Sequence, residues 1–384
     1  MTERVMVVLG TRPEAIKLAP VIREARQTGK VEPVVVSTGQ HRDILNPMLA
    51  AFGITPDIDL ALGRDRHSLN QLASRLLGSL QDTISDVRQR AMVVQGDTTS
   101  AMAGALAAFH LHVPVAHVEA GLRTNDRHSP FPEEMNRRLI GRIADCHLTP
   151  TDGARQALIA EGVPADDVLT TGNTVVDALL YAARLPAEST GDPALDELLA
   201  DQTSRIVLVT THRRESHGEP MRRTSAAIRS LAATHPDLRF VIPVHPNPVV
   251  RELLESELGR IPQVLLTRPM AYLPFVHLMR RSALILTDSG GVQEEAPALG
   301  KPVLVLREST ERPEGVAAGS AVLVGTDVHL IHSWVHRLLS DDAAYTAMAR
   351  VQNPYGDGNA SQRVVAAVEH LLGLRTTRPA PFTS

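Results

Sequence analysis

Short apolar runs alternate with helix-like stretches along almost the whole of this sequence. The run at residues 5–9 is continuous and rich in β-branched side chains, as in a strand that is buried on both faces. A stretch of helical spacing follows, and then the next apolar run. This alternation predicts doubly wound parallel sheets, and 384 residues suffice for two such domains.

The apolar runs fall into two groups. Strands are predicted at residues 5–9, 33–37, 91–95, 113–118 and 146–150 for a first sheet, and at 205–209, 240–244, 264–267, 284–286, 303–306 and 321–324 for a second. A hinge is predicted at 170–174. The segment 375–384 has two prolines and little apolar content, so we expect it to be disordered. Two sheets of this kind predict an active site in the cleft between them.

Composition excludes several classes of partner. The formal net charge is −4 and aromatic residues make up only 3%, which argues against a nucleic-acid surface. No apolar run reaches the roughly 20 residues that span a membrane. The single cysteine, Cys146, cannot form an internal disulfide. We therefore expect a cytoplasmic protein without a nucleic-acid or membrane partner.

The sequence TDSGGVQEEAP at residues 287–297 follows a strand-like run and opens a helix-like pattern. Ser289, Gly290 and Gly291 form a tight turn where the backbone can approach a ligand, and N–H groups at a helix start favour phosphate oxygens. The alternative is that these glycines only permit close packing. Arg312, after the next strand, is a candidate for the same phosphates, or else for a salt bridge at a helix start.

Neither a cofactor nor a metal ion is predicted. The turn at residues 289–291 is not part of a G-x-G-x-x-G motif or a P-loop, so a nicotinamide or ATP site is unsupported. The chain has no H-E-x-x-H motif and no paired cysteines. The D-x-D sequence at residues 57–59 is interpreted as a turn rather than as a metal-binding motif.

Three acidic residues and one histidine are candidates for proton transfer. Asp97, Glu119 and Glu133 lie at or near the ends of strands or loops. Each by itself is often a helix cap or a structural acid, but together they resemble groups that share proton transfers. His212 follows a buried strand. It is either a structural histidine or a group that stabilises a leaving phosphate.

Further ligand contacts are expected from residues that open the helices. Arg12 and Lys17 begin the first helix and are placed to face the cleft, although Lys17 alone would more often be a solvated helix residue. A carboxylate one turn after the Ser-Gly-Gly turn, Glu294 or Glu295, is placed to accept hydrogen bonds from sugar hydroxyls.

Seven motifs, in order, resemble those of the bacterial non-hydrolysing UDP-N-acetylglucosamine 2-epimerases. They are GTRPEAIK at 10–17, QGDTT at 95–99, HVEAGLR at 117–123, PEEMNR at 132–137, TGNTV at 171–175, HRRES at 212–216 and the stretch 287–297. The resemblance implies an α/β GT-B fold, with two Rossmann-like doubly wound domains facing each other across a cleft. It implies a first domain at 1–172 onto which a helix at about 357–374 returns, and a UDP-binding domain at 173–356.

The resemblance also implies reversible interconversion of UDP-N-acetylglucosamine and UDP-N-acetylmannosamine, by elimination of UDP to 2-acetamidoglucal and re-addition. The resemblance does not imply which carboxylate acts on which face of the sugar, and this assignment stays open. Nucleotide-sugar contacts are implied for Arg12, Lys17, Asp97, Glu119, His212, Met270, Phe275, Ser289, Gly290, Gly291, Glu295 and Arg312. Catalytic roles are implied for Asp97, Glu119, Glu133 and His212. No cofactor is implied, and relatives are homodimers.

Some members of this family are activated by UDP-N-acetylglucosamine bound beside the active site. The matching positions here are Gln40, His41, Arg66, Arg213 and Glu215. Asp43 stands where relatives often carry Gln, so this activation stays open. Two other functions are also open: a GT-B glycosyltransferase that passes the sugar to an acceptor, and an inactive sensor that binds UDP alone.

Overall fold

The chain forms two compact units. The structure is a computed structural model that describes residues 2–40, 42–62, 68–211, 213 and 216–383. Unit 1 comprises Met1–Ala178 with Tyr355–Ser384, and unit 2 comprises Leu179–Pro354. The domain boundaries expected from the sequence lie after residues 172 and 356.

Unit 1 is built on one parallel sheet. Its elements are β1 Glu3–Leu9, α1 Arg12–Thr28, β2 Val31–Ser37, α2 Arg42–Ala51, β3 Ile58–Asp59, α3 Leu69–Val87, β4 Ala91–Gln95, α4 Thr99–His110, β5 Val115–Val118, α5 Glu133–Ile143, β6 Cys146–Thr149, α6 Asp152–Ala160, β7 Val168–Thr170 and α7 Thr174–Ala182. Among the described residues the strand order is β3-β2-β1-β4-β5-β6-β7. The order reverses between β1 and β4, which makes this the switch point of the sheet.

Unit 2 repeats the same plan. Its elements are α8 Pro193–Ala200, β8 Arg205–Thr210, α9 Glu219–Thr234, β9 Leu238–Pro243, α10 Pro248–Leu258, β10 Val264–Thr267, α11 Tyr272–Arg281, β11 Leu284–Thr287, α12 Gly290–Glu295, β12 Val303–Val305, α13 Pro313–Ala318, β13 Ala321–Leu323, α14 Val328–Ser340 and α15 Asp342–Ala349. The described strands are parallel and run β10-β9-β8-β11-β12-β13. The switch point lies between β8 and β11.

Both sheets have buried central strands. Residues 5–9 of β1 and 206–209 of β8 are almost fully inaccessible to solvent. In each unit the apolar side chains of the sheet pack against the neighbouring helices, as expected for continuous β-branched runs between helical layers. The prediction of two doubly wound parallel sheets is confirmed.

The strand predicted at 146–150 is present as β6, but the prediction that it is the last strand of the first sheet was wrong. A further strand, β7, pairs with β6 so that His147 stands opposite Val168. The two-residue strand β3 was also missed; it pairs with β2 through Ile58 opposite Val36. Strands of two or three residues are too short to show a pattern, and their neighbours in the sheet define them.

The last helix belongs to unit 1. This helix, α16 at Ala360–Leu371, packs against α1. Its first turn is fixed by the buried carboxylate of Asp177, which accepts hydrogen bonds from the Ser361 N–H at 2.7 Å and the Ser361 hydroxyl at 2.6 Å. Lys30, at the end of α1, pairs with Glu369 of α16 at 3.2 Å.

The predicted disorder of residues 375–384 needs correction over its described part. Phe382 is 6% exposed, and its N–H donates to the carbonyl of Thr170 at 2.7 Å. Arg363 lies over the Phe382 ring at 5.5 Å. Arg378 also donates to the carbonyl of Val168. One aromatic side chain and two hydrogen bonds at the edge strand β7 therefore hold a segment whose composition is mostly polar.

None of the described helices combines the length and the hydropathy needed to cross a lipid bilayer.

Candidate active site

Two clusters of polar side chains lie beyond the carboxyl ends of strands at the two switch points. The first, in unit 1, follows β1, β4 and β5, and we call it the carboxylate cluster: Lys17, Gln95, Asp97, Glu119, Arg137 and Asn173. The second, in unit 2, follows β8, β11 and β12, and we call it the anion site: Arg213, Ser289, Gly290, Gly291 and Arg312. Ligands of open α/β sheets bind at such positions.

Glu119 is the centre of the carboxylate cluster. The Lys17 ammonium group donates to both of its carboxylate oxygens at 2.5 Å. The side-chain amide of Gln95 donates to Oε2, and that of Asn173 donates to Oε1 at 3.2 Å. Glu119 has a φ of 61°, a left-handed conformation that is uncommon for a residue with a side chain. Several donors thus fix a carboxylate on a backbone that the surrounding structure must hold in place.

Asp97 lies in the turn after β4. Arg137 of α5 donates to its carboxylate, and the side chain of Asn136 donates to its carbonyl at 2.9 Å. Burial raises the pKa of the Asp97 carboxyl, and the negative charge of Glu119 adds to the effect, against the opposing positive charge of Arg137. Asp97 is therefore able to hold a proton at a higher pH than an ordinary aspartate.

His117 of β5 supports the turn that presents Asp97. Its Nε2 lies 2.7 Å from the carbonyl oxygen of Gly96, which requires the proton on Nε2. Burial lowers the pKa of His117 to about 3, because a charged imidazole would be desolvated there. The ring is therefore a neutral structural donor near neutral pH.

Glu14 is a functional neighbour that the sequence analysis missed. It is fully buried in the first turn of α1, and its Oε2 accepts from the N–H groups of Gly10 at 2.9 Å and Thr11 at 2.7 Å. Its Oε1 accepts from the Thr98 hydroxyl at 2.6 Å, and burial raises its pKa. Glu14 thus connects the turn after β1 to the turn that carries Asp97. A Glu three residues after Thr11 is a capping signal that was available in the sequence.

The hydrogen bonds of the described residues do not join Arg12 or Glu133 to the carboxylate cluster. Arg12 begins α1 and is exposed, and Glu133 begins α5 and is half-buried. The fully buried acid is the next residue, Glu134, which accepts from the Thr124 N–H at 3.0 Å and from Arg138 at 2.9 Å. α5 reaches Asp97 through residues that lie one turn after Glu133.

In unit 2, a network of hydroxyl groups shapes the turn at Ser289. The hydroxyls of Thr210 and Thr287 lie 2.6 Å apart, and the Thr287 hydroxyl accepts from the Ser289 N–H at 2.9 Å. Gly290 and Gly291 then open α12, where backbone N–H groups have no acceptor within the helix. The Ser289 N–H is thus used internally, and the two glycines carry the donors that a ligand can use.

Two guanidinium groups converge on Gly290. A Cβ atom built on this glycine would lie 3.7 Å from Nη2 of Arg213 and 3.8 Å from Nη2 of Arg312. Arg312 donates through Nε to the buried carboxylate of Glu294. The space beside Gly290 is therefore flanked by two permanent positive charges, as an oxygen-rich anion requires.

Asp288 fixes the backbone that carries Arg213. It is fully buried, and its Oδ2 accepts from the Arg213 N–H at 3.0 Å and from the Ser216 hydroxyl at 2.7 Å. No role was predicted for this residue from the sequence, although it lies within the stretch 287–297. The available signal was an aspartate directly after a strand-like apolar run.

Glu295, a predicted nucleotide-sugar contact, accepts from the Tyr272 hydroxyl at 3.0 Å. Tyr272 begins α11 and is buried. Met270 precedes that helix and Phe275 lies in its first turn, and both are half-buried. The predicted contacts Met270 and Phe275 thus lie just before and within the helix whose first residue contacts Glu295.

Most of the remaining predicted catalytic and allosteric residues cannot be placed in the site. His212, Glu215, His41 and Arg66 lie outside the described residues. Gln40 is half-buried, and its Oε1 accepts from the Ser100 hydroxyl at 3.1 Å. In the part of the chain that the structure describes, no three His, Cys, Asp or Glu side chains form a group that could hold a metal ion.

The comparison with known families decides the identity. A family model described as UDP-N-acetylglucosamine 2-epimerase matches residues 23–369. The chain belongs to the UDP-N-acetylglucosamine 2-epimerase family. The UDP-N-acetylglucosamine 2-epimerase of Bacillus subtilis (strain 168) is 45% identical over 380 residues, which cover 99% of this chain and 98% of that protein.

Solved structures agree with this assignment to the epimerase family. The UDP-N-acetylglucosamine 2-epimerase of Neisseria meningitidis, solved with UDP-N-acetylglucosamine bound, is 43% identical with a TM-score of 0.83, over 96% of this chain and all of that one. A Staphylococcus aureus protein solved with UDP is 40% identical with a TM-score of 0.86, over the full length of both chains. The chain is an isomerase with the predicted GT-B-like α/β fold.

Proposed function

We propose that this epimerase interconverts UDP-N-acetylglucosamine and UDP-N-acetylmannosamine without releasing free sugar. The observation that supports this proposal is that one chain carries both a cluster with two acids, the buried Glu119 and the half-buried Asp97, and an anion site with two arginines. The first suits proton transfer at carbon, and the second suits a departing diphosphate. The ligands named for the Neisseria and Staphylococcus relatives, UDP-N-acetylglucosamine and UDP, are consistent with that pairing.

The chemistry explains why both groups are required. C2 of the sugar is not next to a carbonyl, so its hydrogen is too weakly acidic for direct removal. When the C1–O bond breaks, its electron pair leaves with UDP and positive charge develops at C1. Loss of the C2 proton then forms the C1–C2 double bond of 2-acetamidoglucal. Return of a proton to the opposite face of C2 and re-addition of UDP at C1 give the epimer.

The anion site is proposed to stabilise the leaving group. As UDP departs, negative charge grows on its β-phosphate, and Arg312 lies beside Gly290 where that phosphate would sit. Glu294 holds Arg312 in place, so little reorganisation is needed when the charge develops. His212 is proposed to assist at the same phosphate, and Glu295 to bind the ribose.

The carboxylate cluster is proposed to move the proton at C2. Glu119 accepts hydrogen bonds at both oxygens and is assigned the removal of the proton in one direction. Asp97, whose pKa is raised by burial, is assigned the return of a proton on the other face. The roles exchange in the reverse reaction. Arg12 remains a proposed contact of the substrate and Glu133 a proposed catalytic residue, both on the strength of the family motifs.

A homodimer is also proposed. On the outer face of α5 and just before it, Phe131 is 65% exposed, Met135 38% and Leu139 46%. These residues are four apart and form one apolar stripe, whereas Asn136 and Arg137 on another face of α5 contact Asp97. A second copy of the chain that covers this stripe would brace the helix that supports the carboxylate cluster.

Incubation of the purified protein with UDP-N-acetylglucosamine alone tests the proposed function. We expect NMR spectra to show an equilibrium mixture of the two UDP sugars. Accumulation of UDP and free N-acetylmannosamine would contradict the non-hydrolysing assignment. If UDP-N-acetylglucosamine is consumed only when an acceptor is added, the protein is a transferase. If UDP-N-acetylglucosamine binds but is not converted, the protein is a sensor.

A further inference from the structure

The loop between β12 and α13 carries an acidic side chain that faces the arginines of unit 2. Nη1 of Arg213 lies 3.4 Å from Oε1 of Glu311, and Nη2 lies 3.5 Å from Oε2. Nη2 of Arg307 lies 3.9 Å from the same carboxylate. The positive charges of Arg213, Arg307 and Arg312 lower the pKa of Glu311 against the effect of burial. Glu311 is thus an anion among three guanidinium groups.

Glu311 contacts Arg213 through the two Nη atoms that would also bind a phosphate. Two parallel N–H···O contacts from one guanidinium to two oxygens are the arrangement that arginine uses for carboxylates and phosphates alike. The same Nη2 atom lies 3.7 Å from the Cβ position of Gly290. A phosphate beside Gly290 and the carboxylate of Glu311 therefore compete for one set of donors.

The two arginines of the anion site are held differently. Arg312 pairs with Glu294, whose side chain is only 4% exposed, so this pair is part of the fixed structure. Arg213 pairs with Glu311, whose side chain is 49% exposed, at distances long for hydrogen bonds. Asp288 fixes the Arg213 backbone, so another anion can replace Glu311 at the Arg213 guanidinium without a backbone movement.

We propose that Glu311 is an internal counter-ion that a bound diphosphate displaces from Arg213. This inference rests on the proposed function, since it assumes a diphosphate at the anion site. Glu311 neutralises the arginines before the ligand binds and returns to Arg213 when UDP leaves. The residue thereby weakens diphosphate binding and favours release, and it acts through Arg213 as a positioning residue.

Calorimetric titration of UDP into wild-type protein and into the Glu311→Gln variant tests the inference. We expect UDP to bind about two- to fivefold more tightly to the variant, the range typical of one exposed ion pair. Glu255→Gln is the matched control, because Glu255 forms an exposed pair with Arg251 at 3.0 Å on α10. Its UDP affinity should equal that of the wild type.

A double-variant cycle separates competition from a structural effect. In an Arg213→Ala background, Glu311→Gln should leave UDP affinity unchanged, because the group for which the two anions compete is missing. Equal or weaker UDP binding by Glu311→Gln in the wild-type background overturns the inference. If that variant fails to fold, Glu311→Asp, which shortens the reach to Arg213, must still bind UDP more tightly. Wild-type protein that does not bind UDP would instead contradict the proposed function itself.

Discussion

Glu119 shows how a reactive group is fixed by residues distant in the sequence. Its donors come from α1, from the end of β4 and from the segment after β7. The left-handed backbone at Glu119 costs on the order of 1 kcal/mol or more, and these contacts offset that cost. A substitution that preserves the shape of the side chain therefore tests the chemistry rather than the fold.

Asp97→Asn and Glu119→Gln should each lower turnover by about 10²- to 10⁴-fold, because each removes a proton-transfer group. UDP affinity should stay close to that of the wild type, because the proposed diphosphate ligands lie in unit 2. Turnover is measured by NMR with UDP-N-acetylglucosamine, and affinity by calorimetry. Asp86→Asn, at an exposed position of α3, is the control. Full turnover in either variant would remove that residue from the mechanism.

His117 should make the stability of the protein depend on pH. The unfolded chain binds a proton at this histidine near its ordinary pKa of 6.5, whereas the folded protein does so only near 3. The folded state binds fewer protons between these values, so the free energy of unfolding falls as the pH is lowered from about 6.5 toward 3.

His117→Gln, which can still donate to the Gly96 carbonyl, should reduce that fall, as measured by urea unfolding at pH 7 and pH 5. The matched control is His110→Gln, at an exposed position near the end of α4. Its pH dependence should equal that of the wild type. An unchanged slope in His117→Gln would show that the buried imidazole is not responsible.

The acids proposed for proton transfer were easier to pick out from the sequence than their hydrogen-bonding partners. Asp97 and Glu119 could be found because polar residues directly after buried strands gather at one edge of a parallel sheet. Gln95, Asn173 and Arg137 could not be paired with them, since those contacts depend on strand order and on the path of α5. Glu14 and Asp288 are buried acids whose burial only the packed structure reveals.

At the scale of the element, we expect UDP affinity to depend most strongly on the start of α12, where a single Cβ atom added at position 290 would change it. Alanine at position 290 has room in the unliganded protein, since the atoms nearest to its Cβ would lie 3.7 to 3.8 Å away. The same Cβ would occupy space that a phosphate needs. Gly290→Ala should therefore fold normally and bind UDP about tenfold more weakly, a loss of about 1.4 kcal/mol.

Gly78→Ala is the control for that substitution. Gly78 lies within α3, and a Cβ there meets no atom within 4 Å. The added methyl should stabilise the helix by about 0.5–1 kcal/mol and leave UDP affinity unchanged. Calorimetry and thermal unfolding of both variants check the pair. Wild-type UDP affinity in Gly290→Ala would place the phosphate elsewhere.

The order of the C-terminal segment cannot be predicted from its composition. Phe382 is buried and its backbone extends the hydrogen bonding of β7, although most residues of the segment 375–384 are polar. Phe382→Ala should lower the free energy of unfolding by about 1–3 kcal/mol, because a buried aromatic side chain is lost. Thermal unfolding measures the loss. An unchanged midpoint would show that the segment does not stabilise unit 1.

At the scale of the whole molecule, one strand order is used twice with different chemistry at the switch points. Unit 1 places acids and a lysine after β1, β4 and β5, and unit 2 places arginines and glycines after β8, β11 and β12. Long strand–helix patterns made this architecture predictable, because both sheets are buried on both faces. The short strand β7 and the last ten residues were not predictable, because tertiary contacts define them.

The central claim is that UDP leaves the sugar and returns while a proton is exchanged at C2. The direct test is to incubate the enzyme with UDP-N-acetylglucosamine in D2O and to follow C2 by NMR and mass spectrometry. We expect one deuterium at C2 in both epimers as the mixture approaches equilibrium. An equilibrium mixture of the two UDP sugars that carries no deuterium at C2 would contradict it.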